Sequence, residues 1–303
     1  MGVSLPRTAA IAVVYRQDAD PLALWSQVRT HVAQLILVDN SVQGRPDLAH
    51  FAAESGLTIL RNHNRGGLAG AYNRALDRLA QSHPQLEQVV LLDDDSDTSV
   101  LPRLLTDPLV VARLARPDTA AITPAYVDRA TGLRGRYIEL GRYRLHFLPR
   151  VFAGSREVAF IINSMSVWRM DALRRIGAFD EGLAIDHVDT EYCLRARALG
   201  LKLIVFGDHE FAHSIGQRRS FTLFGKQMQA GGHSAQRRYL IGRNTAWLAR
   251  RYLWREPAFA GLCLSRLAYE CVGIVMAESS RAAKLWAVLS GGCVGLLSRR
   301  LTW

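Results

Sequence analysis

The sequence predicts an α/β protein whose core is a doubly wound, mainly parallel sheet with helices on both faces, followed by a C-terminal helical extension. Three observations carry this expectation: short apolar runs that do not alternate in and out, helix-like segments between them, and polar residues where several runs end.

The elements follow in order. TAAIAVVY (8–15) reads as a first strand, PLALWSQVRTHV as a helix, QLILVDN (34–40) as a second strand and LTIL (57–60) as a third. LAGAYNRALDRLA (68–80) has helical spacing, and QVVLLDDD (88–95) is a fourth strand. After AAITPAYVD (120–128), the Arg- and Tyr-rich LRGRYIELGRYRLHFLPR predicts an edge hairpin or loop beside the crevice. VAFIINSMSVW (158–168) resumes strand character, and the segment from Met170 gives a short helix, a turn, a longer helix from about 188 and another strand. From about Gly216 onward everything reads as helix. The expected division is therefore a catalytic α/β domain over 1–215 and a basic, amphipathic helical region over 216–303.

A chain of 303 residues with 49% hydrophobic content has a globular composition. Its net charge of +11 is uneven: residues 1–215 hold 24 basic and 24 acidic side chains, whereas 216–303 hold 14 basic and 3 acidic ones. An anionic partner is thus expected to meet the C-terminal region. Cys193, Cys263, Cys271 and Cys293 show neither a C-x-x-C pair nor metal spacing, which suits reduced thiols in a cytosolic protein. The opening MGVSLPRTAAIAVVY lacks a cationic n-region and long h-region, so no signal peptide is expected, and Pro6 stands where a myristoylation motif wants Ser or Thr.

In doubly wound sheets, ligands bind beyond the carboxyl ends of the strands, and three ends here are polar: Tyr15-Arg16, Asp39-Asn40 and Asp93–Asp97. Asp93 and Asp95, at i and i+2 past a strand, can present oxygens to a hard divalent cation, Mg²⁺ or Mn²⁺, that bridges to a nucleotide diphosphate. The alternative is an acidic solvated turn in which Ser96 or Asp97 caps a helix at about 99–106. Asp186, Asp189 and Glu191 cluster at a helix start, where Asp186 as N-cap would account for one or two acids and leave another to act as a general base. His213 follows an apolar strand and gains meaning only in company. Gly66 and Gly67 before a helix let backbone approach a ligand, with Asn64, Arg65 and Asn73 within reach of a nucleotide.

In this order the segments resemble the inverting family-2 glycosyltransferases of GT-A fold, most closely their bacterial rhamnosyltransferase branch. VDNS at 38–41, then Asn64, Gly66, Ala71 and Asn73, then Asp93-Asp94-Asp95-Ser96 and GAFDEGLAIDHVDTEYCLRA at 177–196 match that branch's motifs. The resemblance implies that Tyr15, Asp39, Asn64, Arg65, Asn73, Asp93 and Asp94 bind a nucleotide sugar, with Asp39 on base or ribose. It implies a metal at Asp93, Asp95 and His213, and Asp189 as the base that deprotonates an acceptor hydroxyl. Asn163, Ser164, Met165, Asp186 and Glu191 would meet the acceptor or donor sugar. Departures are Asp94 for the usual Gln, Arg16 for Asn, and Asn163-Ser164-Met165 for Thr-Ser-Gly, the last placing Met165 where sugar or acceptor would pass.

The resemblance further implies transfer of a deoxysugar, L-rhamnose from dTDP-L-rhamnose, to a lipid-linked or lipopolysaccharide saccharide at the cytoplasmic face of the cell membrane. A UDP-hexose or galactofuranose donor is the rival within enzymes, and a binding protein that has lost catalysis is the rival outside them. HSAQRRYLIGRNTAWLARRYLWREP (233–257) is an Arg- and Trp-rich helix. From Ala258 to about Ser290 one helix is expected, its five charges within an arc of about 120° and no uncharged run reaching the ~18 residues of a span. That pattern predicts a helix lying in an anionic membrane interface, with packing into a homo-oligomer or onto the catalytic domain as the alternative; no nucleic acid is expected.

Overall fold

The computed structural model describes residues 7–15, 20–48, 57–214, 219–223 and 225–302. Arg16 and Gly216 lie outside them. The chain forms two compact units, the first spanning most of 1–214 and the second combining Glu139–Phe147 with the C-terminal region through Thr302.

The first unit is built on one eight-stranded sheet. Its early strands are β1 (Thr8–Val14), β2 (Gln34–Asp39), β3 (Thr58–Arg61) and β4 (Gln88–Asp93), accompanied by helices α1 (Pro21–Val28) and α2 (Gly67–Ser82). Helices α3 (Leu101–Thr106) and α4 (Pro108–Leu114) lead to β5 (Thr119–Asp128). The hairpin strands β6 (Ile138–Leu140) and β7 (Leu145–Phe147) precede β8 (Ser155–Val158), β9 (Ser166–Arg169), α5 (Met170–Ile176), α6 (Val188–Ala198) and β10 (Lys202–His213). The spatial order in the sheet is β3-β2-β1-β4-β9-β5-β10-β8. Neighbours β3/β2, β2/β1, β1/β4 and β5/β10 run parallel, while β9 lies antiparallel between β4 and β5 and β8 closes the edge antiparallel.

Every residue of β1 is buried, which is why it shows no alternation. Its Ala10 and Ala12 share a core with Leu37, Val90, Leu92, Ile122, Val167 and Phe211. The chain moves outward from β1 to β2 and β3, then returns to place β4 on the other flank of β1. This reversal of strand order opens a crevice at the carboxyl ends. Register fixes what stands there: Val14 lies opposite Asp39 and Val13 opposite Asp93.

The Arg- and Tyr-rich segment forms the two-stranded β6/β7 sheet, separate from the large one. In the second unit β11 (Arg219–Leu223) and β12 (Lys226–Ala230) make an antiparallel hairpin, so the all-helical reading from 216 is corrected. Gly225, at φ 73°, supplies the left-handed turn that a helical period could not accommodate. Helix α7 (Ala235–Tyr252) follows, capped by the Ser234 hydroxyl on the Arg237 amide.

The single helix expected over 258–290 is two helices, α8 (Pro257–Ala277) and α9 (Arg281–Leu297). The break has a cause in Glu278, which is buried in extended backbone and receives Gly232 N at 3.0 Å, Lys284 Nζ at 2.7 Å and a guanidinium nitrogen of Arg238. Drawing that carboxylate inward ends α8, and Ser280 restarts the chain at φ 54°. Despite Arg266 and Glu270, α8 is long and apolar enough to cross a membrane, its 18-residue window having mean hydropathy 1.5 and being 28% buried.

Helices α7 and α9 meet through glycine. A Cβ on Gly242 would strike the Val288 carbonyl, and Cβ atoms on Gly291 and Gly295 would strike those of Tyr239 and Arg243. Replacing Gly291 by Ala is therefore expected to lower stability by about 1–3 kcal/mol, seen as an earlier melting transition, because the two backbones must separate.

Candidate active site

At the end of β2, Asp39 is buried and already engaged. Its Oδ1 accepts the Ser41 amide at 3.1 Å and the Ser41 hydroxyl at 2.6 Å, and its Oδ2 accepts the Arg45 amide at 3.0 Å. Asp39 thus shapes the 40–45 loop from within. Arg45 donates to Asp47 at 3.2 and 2.5 Å, and its basicity is raised by that contact, with Asp39 and Asp94 adding to it. Beside this loop, Asn62 Nδ2 donates to Asn40 Oδ1 at 2.6 Å and to the Arg65 carbonyl at 2.9 Å. Asn40 Nδ2 in turn reaches Asn64 Oδ1 at 3.3 Å, while the Arg65 side chain is exposed.

The glycine pair serves a different neighbour from the ligand expected of it. Gly66 and Gly67, at φ 65° and 59°, sit under the 181–184 turn, where added Cβ atoms would collide with the Glu181 carboxylate and the Ala184 carbonyl. Leu68 N donates to Ala184 O at 2.7 Å. Asn73 clamps the same segment: Nδ2 donates to Phe179 O and Glu181 Oε1, both at 3.0 Å, and Oδ1 accepts Phe179 N at 2.8 Å. Its amide is committed to the fold rather than turned to a nucleotide. Within the turn, Ala184 has φ 60° and ψ −56°, with Ile185 N on Leu183 O at 2.7 Å, a γ-turn of the strained hand.

The acids after β4 form the electrostatic centre. Burial pushes the Asp93 carboxyl up to about 7, and the charges of Asp95, Asp94 and Asp189 push the same way against a hydrogen bond from Tyr72. Tyr72, on α2, donates to Asp93 Oδ1 at 3.5 Å, and its phenol is held well above its usual range by burial, Asp93 and Asp189. The structure thus brings Asp189 into the electrostatic reach of the β4 acids. Thr190 holds the Asp189 Oδ1 through its amide at 2.7 Å and its hydroxyl at 3.3 Å. Asp94 Oδ2 accepts the backbone N–H of Tyr15 at 3.1 Å, tying the ends of β1 and β4 together, while the Tyr15 side chain is exposed. Asp95 is half-buried, and Arg129 reaches its carbonyl at 3.3 Å. Asp97 serves the fold, accepting Ser99 N at 3.1 Å and Ala212 N at 3.2 Å.

Ser96 turns the acidic loop back: its hydroxyl accepts the Asp93 amide at 2.8 Å and pairs with the Ser164 hydroxyl at 2.8 Å. That contact brings the 162–165 loop beside the acids. Asn163 is only 5% exposed, yet among the described residues neither its Nδ2 nor its Oδ1 has a hydrogen-bond partner. Met165 corrects an expectation, since it is wholly buried in the sheet's core and so does not line a sugar's path. Its φ of 61° is a conformation that glycine adopts freely, and the buried side chain and a 2.8 Å bond from Met165 N to Leu91 O hold it there.

Asp186 is not the N-cap of α6; His187, in left-handed backbone at φ 71°, takes that place without a side-chain cap bond. Asp186 is half-buried beside it. Glu191 faces inward, accepting Arg195 Nε at 2.9 Å, while the Arg195 guanidinium also reaches Ile176 O at 2.9 Å and Ala178 O at 2.8 Å. This buried ion pair anchors α6 rather than meeting a sugar. His213 ends β10 opposite Asp128, its ring edge-on to Tyr126 and tilted against Phe211, both with centroids at 6.0 Å.

Among the described residues no group of three or more His, Cys, Asp or Glu side chains is gathered to hold a metal ion. The end of β10 nevertheless lies beside the acidic loop: Ala212 N, one residue before His213, donates to Asp97 at 3.2 Å, and Arg129 joins the His213 carbonyl at 3.1 Å to the Asp95 carbonyl at 3.3 Å. The β4 acids still fit a hard cation by their chemistry, since their mutual repulsion is what a positive ion relieves, and Mg²⁺ needs only one or two carboxylates when phosphate oxygens complete its shell. Sequence reasoning missed Arg45, Asn62, Tyr72 and Ser96. Tyr72, one residue before Asn73 on the face of α2 that packs inward, carried a signal in its spacing; Ser96 was seen only as a cap.

The raised Asp93 carboxyl fixes a pH dependence. Between its ordinary value of 3.8 and about 7 the folded chain keeps a proton that the unfolded chain has released, so raising pH across this window favours unfolding. Thermal melts of the ligand-free protein are expected to show this loss of stability, and Asp93→Asn to flatten it. Truncating Asn73 to Ala is expected to cost about 2–4 kcal/mol in urea unfolding, since it removes three hydrogen bonds and strands the buried Phe179 amide.

No protein-family model matches the chain. It is 34% identical over 90 residues to the dTDP-rhamnosyl transferase RfbF of Shigella flexneri, a match covering 30% of this chain and 29% of that protein. A crystal structure of GalNAc-T7 with UDP, GalNAc and Mn²⁺ superposes with a TM-score of 0.48 at 12% identity, covering 82% of this chain and 51% of that one. The chain thus matches less than a third of that transferase's length, and its own architecture is an α/β unit built on a mixed, mostly parallel eight-stranded sheet.

Proposed function

We propose that the chain transfers L-rhamnose from dTDP-L-rhamnose, with inversion, to a lipid-linked or lipopolysaccharide saccharide at the cytoplasmic face of a bacterial cell membrane. The observation that carries this reading is the gathering of Asp93, Asp94, Asp95 and Asp189 at the switch point between β1 and β4, where burial raises the Asp93 carboxyl and the other three charges add to it. Like charges at this density call for a positive partner. The local likeness to a dTDP-rhamnosyl transferase supports rhamnose as the donor sugar.

Asp93 and Asp95 would hold a divalent cation, which when bound neutralises the leaving diphosphate. Asp189, oriented by Thr190, takes the proton of the acceptor hydroxyl as that oxygen bonds to the anomeric carbon. The carbon–oxygen bond to the diphosphate breaks on the opposite side, so the configuration inverts. Asn163 supplies the sugar contact: a buried amide that no described residue bonds costs about 1–3 kcal/mol, which a donor hydroxyl offsets.

Asp189→Asn is expected to keep the thermal stabilisation given by dTDP-rhamnose with Mg²⁺ while turnover falls by roughly a hundredfold or more. Full turnover in that variant removes Asp189 as the base. EDTA is expected to stop release of the nucleotide diphosphate, and Asp95→Asn to weaken donor binding. Stronger stabilisation by a UDP-hexose than by dTDP-rhamnose would reassign the donor and leave the reaction type intact.

A further inference from the structure

We infer that the outer faces of α8 and α9 are a docking surface that enters one leaflet of a bilayer containing anionic lipid. The inference rests on the second unit alone and not on the proposed reaction.

These helices turn their polarity inside out. Arg238, wholly buried on α7, pairs with Glu270 and Glu278, and Lys284 pairs with Glu278 at 2.7 Å. The inner side of α9 is completed by Gly291 and Gly295 against the α7 backbone. At about 100° per residue, Ala282, Trp286, Leu289, Cys293, Leu296 and Leu297 then share the opposite side, and all six are exposed. Trp286 is 72% and Leu297 82% exposed, and no charged residue interrupts them. On α8 the outward residues include Leu264, Val275 and Met276, while Glu270 is turned toward the packed side and Arg266, itself exposed, lies one turn before it. A helix in water places its charges the other way round.

The charge around this surface selects its occupant. Arg281 begins α9 and Arg299 and Arg300 follow it, all exposed, and Arg255 stands next to the 82% exposed Trp254 after α7. Of the three acids in 216–303, Glu270 and Glu278 are turned inward onto Arg238. A second copy would oppose two basic surfaces with little acid between them, whereas anionic headgroups complement the arginines and acyl chains the apolar residues. The Arg266–Glu270 pair midway along α8, and the contact of Gly273 with Ala230 on β12, place that helix along the surface rather than across the membrane.

The test is flotation of the full chain with phosphatidylcholine vesicles, with and without phosphatidylglycerol. Binding is expected to need phosphatidylglycerol and to weaken with salt. The double variant Trp286→Glu, Leu289→Glu is expected to lose binding by about a hundredfold or more, on the order of what burying those two side chains contributes. Arg299→Ala and Arg300→Ala are expected to weaken it about fivefold each. If circular dichroism shows the glutamate variant unfolded, Leu289→Ser provides the same reading at smaller effect. A folded variant that floats as the parent does, or a lipid-free dimer dissociated by Leu289→Ser in a chain that ignores vesicles, overturns the inference. Nucleotide-sugar stabilisation of these variants, read separately, is expected to stay unchanged.

Discussion

Repulsion among carboxylates at the end of β4 is the constraint around which the first unit is arranged. Four acids share one region at the strand-order reversal, where burial and the neighbouring charges raise the Asp93 carboxyl and hydrogen bonds hold the backbone of the loop. Asp94 ties back to the first strand through the Tyr15 amide, and Ser96 links the loop to Ser164. These bonds keep charge concentrated at a place where water alone would let the side chains disperse. Like charges at this density are relieved by a positive partner, and that physical need connects the strand register to the proposed chemistry.

The second arm of the site is assembled across a long sequence separation. Asn73 on α2 holds Phe179 and Glu181, the glycine pair at 66–67 lets the 181–184 turn approach, and the strained turn at Ala184 leads into α6 with Asp189 in its first turn. The inward-facing Glu191–Arg195 pair then fixes α6 against the Ile176–Ala178 backbone. Residues that a motif comparison groups as ligand contacts thus divide into two kinds. Asn73, Asp39 and Glu191 build the frame, and the β4 acids, Asp189 and Asn163 occupy it.

In the second unit the governing interaction is the buried cluster of Arg238, Glu270, Glu278 and Lys284. A buried charge group of this kind contributes little net stability, but removing one member would strand the others, so it fixes how α7, α8 and α9 are mutually rotated. Rotating the charges inward is what leaves the apolar residues outside.

The sequence by itself determined the alternation of apolar strands and helices, the polar ends of β1, β2 and β4, and the concentration of basic charge after residue 215, because these depend on local spacing and composition. Tyr72 was partly legible from its inward position on an amphipathic helix. Only tertiary structure decided that β9 inserts antiparallel beside β4, that Met165 goes to the core while the Asn163 amide finds no partner among the described residues, and that His213 packs with Tyr126 and Phe211. It also decided that Glu278 splits the last helix in two. Each of these outcomes depends on a partner many residues away, and a hydrophobic period records which face is buried but not which distant donor or backbone will meet it.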